Sequence, residues 1–307
     1  MEYRRLHYIL TIAKEKSISH AAKKLYISQP SLSQYLQKVE QEIGSPLFDR
    51  SIQPLRPTYV GKLYLQKARQ ILDIERQFQQ EIDDVLQLKR GEITIGSSPF
   101  RSTYLLSGFL PLFKQKYPHI KIKLKESTTL HLEKLAFNGE IDIAISLLPI
   151  DSQKFLHENL FEEELWLVIP KEHPIAKQYS LKPGNYVNLP EVSLNEFVNE
   201  AFIIVNHKQK LHKMTFELCK KAGFNPKIIL QTKSMNTAHA LAGAGVGITL
   251  LPNTLIHNLH TQNMPCYLQL KDRPKRTANI IWRKDRYVSI ATQKFILCLK
   301  DYCKKNF

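Results

Sequence analysis

Between Ser28 and Gln41 the chain carries polar side chains in an order that suits reading a long, regular surface. At about 100° per residue, Leu32, Leu36, Val39 and Ile43 fall on one narrow stripe of a helix. Opposite that stripe lie Pro30, Ser33, Gln34, Gln37, Lys38 and Gln41, with Gln29 and Ser31 in the same first turn. Hydroxyls and carboxamides both donate and accept hydrogen bonds, as base edges in a major groove require. A second chemistry belongs to strand ends further on. Ser97, Ser98, Arg101 and Ser102 follow one expected strand, Ser127, Thr128 and Thr129 a second, and Asn206 and His207 a third. Hydroxyls and free N–H groups at such corners suit a polar or anionic ligand, and a guanidinium such as that of Arg101 can hold a carboxylate or phosphate bidentately.

The elements that would position the polar helix are legible on either side of it. Leu6, Ile9, Leu10 and Ala13 give an amphipathic helix over Tyr3–Lys16. A second helix begins after Ser17 with Ser19 as a cap, carries the small pair Ala21 and Ala22, and ends near Leu25. Ser28 then caps a third helix with Pro30 in its first turn, where a missing N–H costs nothing. A polar helix face on its own is ordinarily just solvated. Behind a short helix and a tight turn it becomes the presented member of a helix-turn-helix. Pro46–Thr58, with Arg50 and Arg56 among prolines, suits a hairpin wing that carries cations toward a phosphate backbone.

Thr58 is a cap for a long helix from Val60 to about Leu88, roughly 45 Å at 1.5 Å per residue. Tyr64, Ile71, Phe78 and Val85 recur every seven residues, Ala68 and Ile82 stand at the complementary spacing, and Glu75 interrupts it. This predicts a dimer seam.

From Gly91 the pattern becomes α/β. Strands are expected at Glu92–Gly96, Ile120–Glu126, Ile141–Ser146, Leu165–Ile169, Phe202–Val205, Ile228–Gln231 and Gly247–Leu250. Helices are expected at Leu105–Lys116, Leu130–Asn138, Met214–Ala222 and Asn236–Ala242. Two such sets imply two lobes with a cleft between them.

The net charge of +16 favours polyanionic partners. Residues 1–72 hold 12 Lys and Arg against 5 Asp and Glu, and residues from 91 onward hold 29 against 18. By length the first part is about twice as densely charged, which fits nucleic acid there and permits an anionic ligand in the remainder. No apolar run approaches the roughly 20 residues that span a bilayer, and no export signal is evident, so a cytoplasmic protein without membrane contact is expected. Cys219, Cys266, Cys298 and Cys303 form no CxxC pair and no metal spacing, so they read as reduced packing residues, with no metal or cofactor expected. Gly243-Ala244-Gly245-Val246-Gly247 has the composition of a dinucleotide loop, but it follows a helix and leads into a strand, the reverse of what such a loop requires. With no catalytic motif elsewhere, an enzyme is not expected.

The run Ala21–Ala22, Ser28-Gln29-Pro30-Ser31-Leu32-Ser33-Gln34, Glu40, Gly44, Pro46-Leu47-Phe48-Asp49-Arg50, Pro57-Thr58 and Gly61 resembles the signature of LysR-type transcriptional regulators. Gly139-Glu140-Ile141-Asp142-Ile143-Ala144-Ile145, Leu167-Val168-Ile169-Pro170 and Gly245-Val246-Gly247-Ile248-Thr249-Leu250-Leu251-Pro252 extend the resemblance over nearly the whole chain, most weakly at Ser152–Glu164 and Tyr179–Asn199. The resemblance implies a winged helix-turn-helix over residues 1–58, a linker and dimerisation helix over 59–90, and a two-lobed effector domain over 91–307 that resembles periplasmic binding proteins. Lobe I would take about 91–164 plus 271–307, and lobe II about 165–270. It further implies promoter DNA, a small effector, RNA polymerase and a homodimer or a tetramer of two dimers as partners. Gln29, Pro30, Ser31, Ser33, Gln34, Lys38, Arg50 and Thr58 would serve the DNA. Where many members carry Arg, this chain has Gln34, so the guanine contact of an Arg is not expected at that position. The rival readings are a solute-binding protein, which the missing export signal disfavours, and a non-specific architectural DNA binder, which the ligand-sized α/β region disfavours.

Overall fold

The computed structural model describes residues 3–86, 91–259 and 261–307. It divides into two compact units, Met1–Leu88 with Asn138–Glu140 and Lys89–Phe137 with Ile141–Phe307.

In the first unit, α1 (Tyr3–Glu15) buries Leu6, Ile9 and Ile12. The next helix, α2 (Ile18–Leu25), is capped by Ser17, whose hydroxyl accepts from the His20 N–H, and not by Ser19 as expected. Ala21 and Ala22 are buried and let α1 approach closely. Ser28 starts α3 (Gln29–Ile43), accepting from the Ser31 N–H at 3.3 Å, and Gly44 ends it at φ 75°. Leu32, Leu36 and Val39 fill the core, whereas Ile43, expected on the same stripe, is exposed in the final turn. The wing is the antiparallel pair β1 (Phe48–Asp49) and β2 (Arg56–Pro57).

Thr58 caps α4 (Tyr59–Val85), accepting from the Gly61 N–H at 2.9 Å. A Cβ on Gly61 would stand 1.9 Å from the Leu47 carbonyl oxygen, so only glycine lets this helix rest directly on the base of the wing. Leu86 closes α4, and residues 87 and 88 of the expected helix lie outside the described residues.

The second unit is built on two lobes. In the first, β3 (Gly91–Ser97) lies between β4 (Ile120–Glu126) and β5 (Ile143–Leu147), parallel to both. Between β3 and β4 the chain makes α5 (Pro99–Arg101), a π turn (Ser102–Leu106) and α6 (Ser107–Lys116), and α7 (Thr129–Phe137) follows β4. The expected single helix from Leu105 is therefore three pieces that begin at Pro99.

One 15-residue strand, β6 (Phe155–Ile169), serves both lobes. The second lobe adds α8 (Pro174–Gln178), β7 (Glu191–Val192), β8 (Ala201–Val205), α9 (Lys210–Lys221), β9 (Lys227–Thr232), α10 (Met235–Gly243), β10 (Thr249–Pro252), α11 (Asn253–Ile256) and β11 (Cys266–Leu270). The chain then returns as β12 (Lys275–Arg283) and closes on α12 (Ile290–Asn306). Phe155–Glu164 of β6 pairs with β12, and Leu165–Ile169 pairs with β10 and β11.

Phe109, Phe113 and Phe295 pack edge to face and tilted at 5.0–5.7 Å in the first lobe's core. Leu165, Val168, Ile203, Leu251 and Tyr267 lie in the core of the second. Among the described residues no helix is long and apolar enough to cross a membrane.

Candidate functional site

The face of α3 opposite its core stripe is open. Gln29, Pro30, Ser31, Gln34, Gln37, Lys38 and Gln41 are exposed, and Ser33 is half-buried. The Ser31 and Ser28 hydroxyls pair at 2.7 Å, which fixes the entry to the helix. Two expected contacts are already occupied within the unit. The half-buried Thr58 hydroxyl donates to the Pro46 carbonyl at 2.8 Å while capping α4, so it already holds the wing to the long helix. Arg50 donates to the Glu40 carboxylate at 2.7 Å, and Glu40 also accepts from the N–H groups of Leu47 and Phe48. Glu40 thereby ties α3 to the wing, and an exposed Arg50 reaches DNA only by sharing or leaving that partner.

A cavity of about 390 Å³ opens between the lobes of the second unit. From the first lobe its wall takes Ser98, Arg101, Thr128 and Ser146, and from the second Lys210, Lys233 and Asn236. Of the residues proposed from strand ends, Ser98, Arg101, Ser127, Thr128 and Thr129 therefore meet. Ser97 turns inward and is fully buried, and the Ser102 hydroxyl is buried without a partner on the π turn. Asn206 spends its side-chain oxygen on the Lys208 N–H, and His207 lines an adjoining cavity that shares Lys210 and Arg276 with this one. These four do not join the wall.

Arg101 is not the free cation the sequence suggested. Its guanidinium is buried between the rings of Phe100 and Phe161, at 4.6 and 5.0 Å from their centroids, and donates to the Glu163 carboxylate. Arg276 and the Thr254 hydroxyl donate to the same carboxylate. Burial alone would raise the pKa of Glu163, but the charges of Arg101 and Arg276 outweigh it and hold the carboxyl at about 2. Burial in turn lowers Arg276.

Two further cations line the wall, the exposed Lys233 and, largely buried, Lys210, which stands inside a helix start rather than at a strand end and so drew no attention in the sequence. From α9 Lys210 crosses to the first lobe, meeting Glu133 at 2.7 Å and the carbonyls of Leu147 and Pro149, the latter at 2.7 Å. Asn236 makes a second crossing, donating to the Tyr104 hydroxyl at 3.1 Å.

A helix-turn-helix joined by a long helix to a two-lobed ligand domain is the arrangement on which sequence comparison bears directly. The sequence signature described as "Bacterial regulatory helix-turn-helix protein, lysR family" matches residues 3–62, and "LysR substrate binding domain" matches residues 86–304. The chain belongs to the LysR family of bacterial transcriptional regulators. Like the family, it is a DNA-binding regulator with an effector-binding domain and not an enzyme. It is 30% identical to the uncharacterized HTH-type transcriptional regulator YcgK of Bacillus subtilis, over all of this chain and 96% of that one. It is 27% identical to the hydrogen peroxide-inducible genes activator of Dickeya chrysanthemi, over 95% of this chain and 94% of that one. Full-length CbnR complexed with its target DNA superposes with a TM-score of 0.69 at 19% identity, over 99% of this chain and all of that one, a likeness of fold.

LysR regulators form oligomers, and α4 is where the sequence predicted a seam. Ala68 is buried, and α4 packs against α1, so Ala68 leaves the predicted seam. Tyr64 packs partly on the core of the head. Phe78 is 58% and Val85 80% exposed, Ile71 and Ile82 are half-buried, and Ile74, 64% exposed, continues the stripe where Glu75 seemed to interrupt it.

The exposed carboxamide of Gln34 sets up a test of base reading. Against a duplex enriched from random sequence by the parent protein, Gln34→Ala is expected to lose about 1–3 kcal/mol of binding while affinity for scrambled DNA stays unchanged. Equal weakening on both duplexes in a gel-shift titration would remove Gln34 from base readout.

Proposed function

We propose that this regulator senses a small anion held between its lobes. The supporting observation is the charge of the cavity wall. Among the described residues it carries Arg101, Lys210, Lys233 and Arg276 and no carboxylate. Glu163 and Glu133 stand against three of these cations, so two negative charges face four positive ones. Ser98, Thr128 and Ser146 add hydroxyls around the same space. A pocket with surplus positive charge and hydroxyl donors favours a carboxylate or phosphate over a neutral molecule of the same size.

Ligand and lobe geometry are linked through Lys210. An anion that draws on this ammonium competes with or joins its contact to Glu133, so it binds one lobe arrangement better than the other and shifts the population toward it. A differential of about 1–3 kcal/mol changes DNA affinity about 5- to 150-fold. RNA polymerase then reads the altered complex on promoter DNA in the cytoplasm.

The domain limits of this reading are 1–58 for the head, 59–90 for the linker and 91–307 for the sensor. The α4 stripe of Ile71, Ile74, Phe78, Ile82 and Val85 pairs two chains, so that two heads address two half-sites.

One relative is named for induction by hydrogen peroxide. Peroxide attacks thiolates, yet burial pushes Cys219 to about 11, Cys303 to about 12 and Cys266 upward. These three thiols stay protonated at neutral pH, and the named response is not carried to them.

Calorimetry with a panel of mono- and dicarboxylates and inorganic phosphate, set against neutral amides of the same shapes, tests the anion reading. Binding by an acid but not its amide is expected, and Lys210→Ala should weaken it about tenfold or more, the worth of one charged hydrogen bond. Preference for the amides, or the same affinity in Lys210→Ala, contradicts the proposal. For assembly, Phe78→Asp should sediment as a monomer, because an unpaired carboxylate in an apolar seam is costly; an unchanged oligomer would place the interface elsewhere.

A further inference from the structure

The turn between α2 and α3 holds a residue that packing does not explain. Tyr26 is 96% exposed and stands in the left-handed region at φ 56° and ψ 40°. The conformation is required by the turn. The Tyr26 N–H bonds to the carbonyls of Ala22 and Lys23, and the Ile27 N–H to that of Ala22 at 3.1 Å, which together close the end of α2. Glycine or asparagine takes this position without the steric cost that a tyrosine carries. Leu25 and Ile27 on either side turn toward the core of the head, and the Tyr26 ring buries almost nothing in return. A large ring held at a strained, open position brings no stability to the free protein, which directs attention to the bound state.

Its place in the head indicates which surface it meets. Two residues later Ser28 caps α3, whose exposed first turn, Gln29, Pro30 and Ser31, is the part of a recognition helix that enters a groove. The segment just before that turn comes against the groove wall, which is sugar and phosphate. Lys23, exposed on the last turn of α2, adds a positive charge three residues before Tyr26. A phenol is a neutral donor, and tyrosine hydroxyls are among the groups that hold phosphate oxygens.

We propose that Tyr26 donates a hydrogen bond from its hydroxyl to the DNA backbone beside the base edges that α3 reads, and so fixes the register of the helix in the groove. The contact carries no sequence information of its own and displaces no counterion.

Three variants of the full-length protein test this: Tyr26→Phe, which removes only the hydroxyl, Tyr26→Asn, which suits the left-handed backbone, and Lys23→Ala. Each is titrated against a duplex enriched by the parent protein and against a scrambled duplex over a range of salt. Tyr26→Phe is expected to weaken both duplexes about 3- to 10-fold, the worth of one neutral hydrogen bond, with the slope of log affinity against log salt unchanged. Tyr26→Asn should lose at least as much while melting no lower than the parent, because backbone strain is relieved. Lys23→Ala should reduce the salt slope by about one phosphate, showing that the assay resolves the two kinds of contact. Parent-like binding by Tyr26→Phe, a loss confined to the enriched duplex, a changed salt slope in that variant, or a lower melting temperature for Tyr26→Asn would each overturn the proposal.

Discussion

A single buried carboxylate organises the sensor half of this protein. Glu163 lies on β6 one residue before the strand leaves the first lobe for the second, and its charge survives burial only because Arg101, Arg276 and Thr254 converge on it. Those partners come from three separate stretches of chain. Arg101 follows the first strand of the first lobe, Arg276 is on the returning strand directly opposite Glu163, and Thr254 belongs to a short helix of the second lobe. Two cations to one anion leave the pair net positive, so the structural demand of the crossing also sets the sign of the cavity beside it. Desolvation would otherwise protonate the carboxyl or expel it, and removing one partner of such a cluster costs more than the cluster gains over an apolar replacement.

The same economy governs the head. Glu40 accepts from two backbone N–H groups of the wing and from Arg50, so one carboxylate fixes the angle between the recognition helix and the hairpin. Thr58 and Gly61 then hold the long helix against the wing's base. A regulator has to transmit small changes of geometry, and the joints at Glu40 and Thr58 are made by charged or hydrogen-bonded groups. Lys210 and Asn236 do the same across the cleft.

Much of this was readable from residue order. The capped polar helix, the small alanines behind it and the strands of the sensor follow from periodicity and capping, because local spacing dictates them. The first half of β6 did not read as a strand, since Phe155–Glu164 is dense in glutamate and its partners lie far along the chain. Glu158 meets Lys300, Glu162 meets Lys275, and Glu163 meets Arg101 and Arg276. Arg101 reads in the sequence as a free cation, because residue order shows a cation near a strand end and not the anion 62 residues later that pairs with it. Ala68 and Thr58 show the same limit: heptad position and hydroxyl chemistry are visible in the sequence, and the contacts within the chain that engage them are not.

The organising role of Glu163 is measured most directly by urea unfolding of the parent and of Glu163→Gln as a function of pH. Its folded pKa, about 2, lies below the ordinary carboxylate value of 4.5, so the ionised carboxylate stabilises the fold above the unfolded pKa. The parent should exceed the variant by about 3 kcal/mol between pH 7 and about 5.5, and the excess should fall away as the pH drops through about 4 toward 2. A variant as stable as the parent at pH 7, or a difference that stays constant down to pH 3, would contradict the account.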